Sequence, residues 1–365
     1  MHKFKNPKYV SVPSLSPIEE FVDILKDSWE KRILTHNGPL VQLLEKRINQ
    51  YLNTQNAVAV TNGTIALQIA IRALDLHGEI ITTPFSWIAT ASAIRWENCT
   101  PVFVDIDEET FNIDPKKIEQ AITPRTCAIM PVHVFSNPVD IDAIEEIAKK
   151  HNLKTIYDSA HAFGVNHHGK SVMDFGDISC TSFHATKIFN TGEGGACFTQ
   201  KEELFEKLKR IRFFGHNDDK EIIEDGINGK LTEIHSAIGL ANLPLLDSVI
   251  KKRKKIYDVY YEKLKYIEHI KFQKFNPNHY NYSYMPIVLP TERICLEILN
   301  KLSERNAFPR RYFFPSLNTI KAVGNYIPMP ISENISRKIL CLPSNHDLSF
   351  QDIEKIADMI IEQIN

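Results

Sequence analysis

Lys187 stands five residues after Ser182, at the end of a run that reads as a strand, and just ahead of Gly192-Glu193-Gly194-Gly195. A lysine held in a pocket loses its proton more readily. As a free amine it can form a Schiff base with a carbonyl. Ser182 is placed to donate to a phosphate. An isolated lysine is ordinarily a solvated surface residue, so the segment gains its meaning from two others. Ile156-Tyr157-Asp158-Ser159-Ala160-His161 puts a carboxylate directly after a buried strand, among small and apolar neighbours. A carboxylate there needs a partner. A helix cap or a structural ion pair would serve, and so would the protonated ring nitrogen of a cofactor, with His161 in reach of that cofactor's phenolic oxygen. Asn62-Gly63-Thr64 lies between a strand and a helix. Gly63 lets the backbone approach a ligand, and the N–H groups opening the helix can hold a phosphate. The same tripeptide also suits an ordinary turn capped by Thr64.

Chemistry spread over more than a hundred residues needs a frame that gathers strand ends. The apolar run at 57–60 and the segments at 79–82, 101–104, 127–132, 154–157, 178–183 and 196–199 read as strands. Helical periodicity falls between them, at 64–74, 87–96 and 140–151. Buried strands joined by helices predict an α/β fold with a largely parallel, mixed sheet. Ligands of such sheets bind beyond the carboxyl ends of the strands. Two helices precede the series, at 16–31 with Ser16 as cap and at 40–51. After about Asp247 the pattern changes to a long helix at 248–264, a strand near 282–289, and helices at 291–305 and 349–364. The expected organisation is a large domain over 1–247 with an N-terminal helical segment, and a smaller C-terminal α/β domain over 248–365. The long helix would be the hinge.

Composition narrows the function classes. The 365 residues are 43% hydrophobic and 24% charged, with a formal net charge of −2. These are globular proportions, with no strong field to attract nucleic acid or an anionic membrane. Six cysteines stand singly without a CxxC pair, so neither a zinc site nor a disulfide framework is indicated, and reduced thiols in a cytoplasmic protein are expected. No signal-peptide core and no apolar run of about 20 residues is present, so no membrane span is expected. The basic run Lys251-Lys252-Arg253-Lys254-Lys255 reads as a solvated helix face. His167-His168-Gly169 reads as a turn: two adjacent histidines without an evident third ligand do not make a metal site.

The order of the segments carries further information. A phosphate loop, then Asp after a strand, then Ser-x4-Lys with a glycine-rich turn is the order found in pyridoxal-phosphate (PLP) enzymes of the aspartate-aminotransferase fold, fold type I. The chain resembles the DegT/DnrJ/StrS sugar aminotransferases among them. The resemblance runs through Thr35-His36-Asn37-Gly38-Pro39, Asn62-Gly63-Thr64-Ile65-Ala66-Leu67, Pro84-Phe85-Ser86-Trp87, Pro131-Val132-His133-Val134 and the Asp158 and Lys187 segments, to the stretch from Asn228-Gly229-Lys230 to Leu240. It implies that Lys187 carries the cofactor and shuttles the proton, and that Asp158 keeps the pyridinium protonated. Trp87 would stack on the ring, with His161 beside it. Gly63, Thr64 and Ser182 would hold the phosphate, and Asn228 would reach the phosphate site of a neighbouring subunit, so that a homodimer shares its active sites. Arg310, Arg311 and Tyr312, with His36 and Asn37, are the substrate-facing candidates. L-Glutamate would donate the amino group, leaving pyridoxamine phosphate, and a nucleotide-linked keto sugar would accept it, in the synthesis of deoxyamino sugars for bacterial surface glycans such as O-antigen lipopolysaccharide or for antibiotics.

Two departures bear on the subgroup. Many relatives have Ser where this chain has Asn62, and many have Asn-Tyr-Arg where it has Asn228-Gly229-Lys230. The latter form is similar to the VioA-type subgroup, which aminates C4 of dTDP-4-keto-6-deoxyglucose. Amination at C3 of a dTDP-3-keto-6-deoxyhexose is the alternative within the family. Relatives that dehydrate sugars instead have histidine at the Schiff-base position, and Lys187 argues against that chemistry. The Asp158/Lys187 pair likewise argues against a PLP-binding sensor without turnover.

Overall fold

The computed structural model describes residues 3–364. Met1, His2 and Asn365, the outer ends of the two expected domains, lie outside the described residues. The first half of the chain runs β1 (Lys8–Tyr9), α1 (Ile18–Glu30), α2 (Pro39–Leu52), β2 (Ala57–Val60), α3 (Gly63–Ala73), β3 (Glu79–Thr82), α4 (Ile88–Trp96), β4 (Thr100–Phe103), α5 (Pro115–Ile118), β5 (Thr126–Met130), α6 (Ile141–His151) and β6 (Lys154–Asp158). A hairpin, β7 (Asn166–His167) and β8 (Lys170–Ser171), leads to β9 (Ile178–Ser182), β10 (Gly195–Phe198), α7 (Glu202–Arg212) and α8 (Glu233–Asn242). The remainder is α9 (Leu246–Leu264), β11 (Lys271–Phe272), β12 (Pro286–Val288), α10 (Glu292–Glu304), β13 (Ala307–Phe308), α11 (Pro330–Lys338), β14 (Ile339–Cys341) and α12 (Phe350–Ile364).

The large sheet has seven strands in the order β2-β10-β9-β6-β5-β3-β4. All pairings are parallel except those of β10, which runs against both of its neighbours. The fold is therefore α/β with a mostly parallel, mixed sheet. Most of its strand residues are buried because both faces are covered. Ala57 and Ala59 pack with Tyr157 and Phe198 on one face, while Val58 and Val60 pack with Ile80, Ile156 and Cys180 on the other. That alternation puts Asp158 on the face of Ile156, towards α3 and α4.

A second body forms around the three-stranded antiparallel sheet β11-β12-β14 and the helices α10 and α12. Helix α9 belongs to both cores: Leu246 and Val249 join the first, and Ile256, Tyr260 and Leu264 join the second. The N-terminal strand departs from the expected grouping. β1 pairs in parallel with β13, and Phe4 packs beside Tyr260 and Leu302. We propose on this packing that the C-terminal body includes residues 4–9. Across the two bodies, Asp105 after β4 accepts the N–H groups of Ile331 and Ser332, each at 2.9 Å, and so caps α11.

Other differences have local causes. Ser16 does not cap α1; its N–H donates to Asn242 Oδ1 at 2.9 Å, and the helix starts after Pro17. The strand expected near 282–289 shrinks to three residues because Asn281 Oδ1 accepts from the Ser283 N–H at 3.0 Å and Tyr282 takes φ 57°. A side chain that bonds the backbone two residues on competes with the ladder. Arg253 is not on a solvated face: it is 1% exposed and donates to the Ser283 carbonyl at 2.8 Å. Helices α5, α7, α8 and α11 have no counterpart in the sequence expectation.

Glu233 at the start of α8 organises the segment before α2. Its carboxylate is fully buried and accepts from Ser28 Oγ and from the N–H groups of Leu40 and Val41, all at 3.0 Å. It therefore caps α2, and a side chain at Gly38 would meet it at 2.8 Å. Glu233→Ala leaves buried donors unpaired and is expected to cost about 2–3 kcal/mol of stability. Thermal unfolding checks this; an unchanged midpoint would contradict the capping role.

Candidate active site

A cavity of about 620 Å³ opens where β2, β3, β6 and β9 end and β10 begins. All three chemistry-bearing segments line it: Asn62, Gly63 and Thr64; Asp158 and His161; and Ser182 and Lys187. They sit at one edge of the sheet because six strands run the same way and the connection from β9 to β10 is a tight hydrogen-bonded loop. In that loop Ala185 N donates to the Gly192 carbonyl and Phe183 N to that of Gly194, each at 2.7 Å. Gly192 takes φ +78° at the turn.

Asp158 is 5% exposed and has no ion-pair partner within bonding distance among the described residues. Thr90 Oγ1 donates to its Oδ2 at 2.8 Å, and Ala160 N to its Oδ1 at 3.2 Å. Thr90 is held in turn by Ser86 Oγ at 2.8 Å. Burial pushes the Asp158 carboxyl above its ordinary pKa, against the hydrogen bonds from Thr90 and Ala160 and the charge of Lys187. Burial likewise pushes Lys187 down to about 8, with the Asp158 charge opposing. His161 stays neutral, its pKa far below the usual range through burial and the Lys187 charge. Its Nδ1 accepts the Phe135 N–H at 3.3 Å, so the ring carries its proton on Nε2. The site thus combines an easily neutralised amine, a carboxylate without a cation, and an imidazole that donates.

At the β2 end the backbone lies close against β9 and β10. A Cβ on Gly63 would stand 2.8 Å from Ser182 Cβ, and one on Gly195 would stand 2.6 Å from the Asn62 carbonyl carbon. Asn62, not Thr64, caps α3 by accepting from Ile65 N at 2.9 Å. That leaves the Thr64 hydroxyl, the Ser182 hydroxyl and the opening turn of α3 on the cavity wall, an arrangement suited to an anion.

The sequence profile of the DegT/DnrJ/EryC1/StrS aminotransferases matches residues 16–361. The chain belongs to that family. It is 43% identical to the dTDP-4-amino-4,6-dideoxy-D-glucose transaminase of Shigella dysenteriae, over 98% of this chain and 99% of the relative. It is 38% identical to the Escherichia coli enzyme of the same name, over 96% and 97%. Among solved structures, DesI in the presence of its TDP-sugar product superposes with a TM-score of 0.95 at 29% identity, covering 100% of this chain and 94% of that one. The chain is therefore a PLP-dependent aminotransferase of the DegT/DnrJ/EryC1/StrS family.

The residues present fit that cofactor. Asp158 is a buried carboxylate held by neutral donors alone, which a pyridinium N–H would complete. The glycine at 63 keeps open a cradle that a Cβ would fill, beside Ser182 and Thr64. Lys187 and His161 stand on the same wall. Trp87, 59% exposed at the mouth, offers an indole face for stacking and meets Tyr312 edge-on, with ring centroids 6.5 Å apart.

The substrate candidates divide. Arg310 and Tyr312 line the cavity mouth. Arg311 does not: its guanidinium pairs with Glu292 at 2.7 Å, donates to the Arg337 carbonyl at 2.8 Å and lies over the Phe314 ring. It lines instead an adjoining cavity of about 520 Å³ that shares Trp87, Arg310 and Tyr312 with the mouth. His36, Asn37 and Asn228 also lie away from the cavity of their own chain. His36 meets Phe213 edge-on at 5.6 Å, and Phe213 bridges to Asn228. Lys230, where many relatives have arginine, sits over Phe213 and Phe214 and donates to Asn228 Oδ1. The side chains missed from sequence are Thr90, Ser86, His184, Glu193 and Tyr284. The i, i+4 spacing of Ser86 and Thr90 was the available signal, but nothing in it points across 68 residues to Asp158.

Thr90 is a positioning residue. Thr90→Val keeps its shape and removes one of two donors to Asp158. Turnover is expected to fall about tenfold, the worth of a hydrogen bond to a charged group, with the pH profile displaced. Thr90→Ser should restore both, and an unchanged Thr90→Val profile would remove the role.

Proposed function

We propose that the chain moves the amino group of L-glutamate onto C4 of a nucleotide-linked 4-keto-6-deoxy sugar, converting dTDP-4-keto-6-deoxy-D-glucose to dTDP-4-amino-4,6-dideoxy-D-glucose. The observation that carries the chemistry is the buried Asp158, held by neutral donors alone and lining the same cavity as Lys187. The choice of sugar rests on the two transaminases at 43% and 38% identity. When bound, PLP supplies the electron sink. The protein supplies the rest. Lys187 Nζ takes the α-proton of the amino acid and later returns a proton to the sugar carbon. Asp158 holds a proton at the ring nitrogen. His161 Nε2–H would be available to donate to the cofactor, and Trp87 would offer its indole face for stacking. Arg310 and Tyr312 meet the sugar nucleotide at the mouth.

Completion of the site by a second copy belongs to the same proposal. His36, Asn37 and Asn228 gather on a surface with exposed Ile33, Leu34, Phe214, Ile222 and Ile227. A homodimer that buries this surface would carry Asn228 towards its partner's phosphate site. No helix among the described residues is long and apolar enough to cross a membrane; we place the enzyme in the cytoplasm, serving surface-glycan synthesis.

The test is visible absorption of the PLP-loaded protein. L-Glutamate should bleach it, and dTDP-4-keto-6-deoxy-D-glucose should restore it. NMR of the product should show nitrogen on C4; nitrogen on C3 would select the other position, and no bleaching by glutamate would reject the donor.

A further inference from the structure

His167 and His168 follow one another at the β7–β8 turn, where the sequence shows no third ligand. The structure supplies one. Asp142, in the first turn of α6, places Oδ2 3.0 Å from His168 Nε2 and 3.3 Å from His167 Nε2. The ligand atoms of all three residues lie within 4.8 Å of one another. We propose that Asp142, His167 and His168 form a site for a divalent transition-metal ion of the Zn²⁺ class, separate from the catalytic cavity, which none of the three lines.

The spacing suits the ion. Bonds of about 2.0–2.1 Å in a tetrahedron put neighbouring ligand atoms roughly 3.3 Å apart, close to the distances already present. The backbone brings adjacent side chains together: His168 has φ 48° and Gly169 φ 77°. Two successive left-handed residues make a tight hairpin turn, and it leaves the two imidazole centroids 4.0 Å apart. His167 is further fixed by the edge of Phe175, 5.3 Å away, and its side chain is only 14% exposed. Two imidazoles and one carboxylate, with a fourth position open to water, suit Zn²⁺, Co²⁺ or Ni²⁺ better than Mg²⁺ or Ca²⁺, which prefer all-oxygen ligand sets. Without metal the ring N–H groups can donate to Asp142. Binding requires each ring to carry its proton on Nδ1 and offer Nε2 to the ion, so the metal displaces those hydrogen bonds. It would fasten the hairpin to α6.

Cobalt(II) is the direct probe, added to chelator-washed, PLP-loaded protein. Its visible d–d bands report tetrahedral nitrogen and oxygen coordination. The expected result is one saturable tetrahedral Co²⁺ per chain, displaced by Zn²⁺. His168→Ala and Asp142→Asn should each weaken it roughly 10–100-fold or more, with transamination unchanged. Asp142→Asn can still accept from the histidines, so it separates loss of metal from loss of the turn. Absence of a saturable band, or equal binding in both variants, overturns the proposal.

Discussion

Lys187→Ala is expected to leave a folded protein that still takes up its cofactor and turns nothing over. The phosphate groove, Asp158 and Trp87 are untouched by the substitution, so binding persists. What would disappear is the amine proposed to tether the cofactor and move the proton. General acid–base catalysis alone contributes about 100- to 10,000-fold, and the tether adds to that. Lys187→Arg should be equally inactive, because a guanidinium keeps its proton under all working conditions; activity in that variant would show that Lys187 fills space and does no proton chemistry. The same amine predicts a pH dependence. Burial lowers its pKa to about 8 from the ordinary 10.5. The neutral form therefore accumulates as pH rises through about 8, and about a tenth of it is present at pH 7. Capture of PLP by cofactor-free protein, followed by absorbance, should quicken about tenfold from pH 6 to pH 7 and level off above pH 8. A rise that continues to pH 10 would mean that the amine is not desolvated.

These groups were legible in sequence because each is local to a strand end. Asp158 and Ser182 terminate buried strands, Lys187 follows five residues after Ser182, and parallel order places such ends together. The strands at 57–60 and 79–82 could be read to the residue since both faces are buried. What escaped was long-range. Thr90 reaches Asp158 only because α4 packs on the face of β6 that carries Ile156. Glu233 caps a helix almost two hundred residues earlier. Asp142 meets the histidines through a hairpin whose docking no local pattern encodes. Arg253 stood in a run of lysines, and only its helix phase and the Ser283 carbonyl bury it. His36 and Asn37 matched a family pattern as substrate-facing candidates, yet the fold holds them away from their own cavity, as it does Asn228, which was expected to serve a neighbouring subunit.

Asp158→Asn should act with opposite sign on stability and on catalysis. In the cofactor-free protein Asp158 is a buried carboxylate without a cation, and its raised pKa means that folding disfavours its charge. A folded pKa above the unfolded value makes the protein lose stability as pH rises from the unfolded value through the folded one. Asparagine removes the charge while its amide oxygen can still accept from Thr90, so the cofactor-free variant should melt at the same temperature as the wild type or higher near pH 7. The loaded enzyme should behave in reverse. There the carboxylate would face a pyridinium in a buried site, and deleting one member of a buried charge pair costs about 3–5 kcal/mol. Turnover should fall by roughly 100- to 5,000-fold. Asp158→Glu keeps the charge but displaces it from Thr90, and should retain activity between the two. Matched melting curves with and without PLP, together with turnover, would separate the possibilities. If Asp158→Asn destabilised the cofactor-free protein and left turnover intact, Asp158 would be a structural cap for the segment after β6, and the cation it awaits would have to be sought elsewhere than on the cofactor.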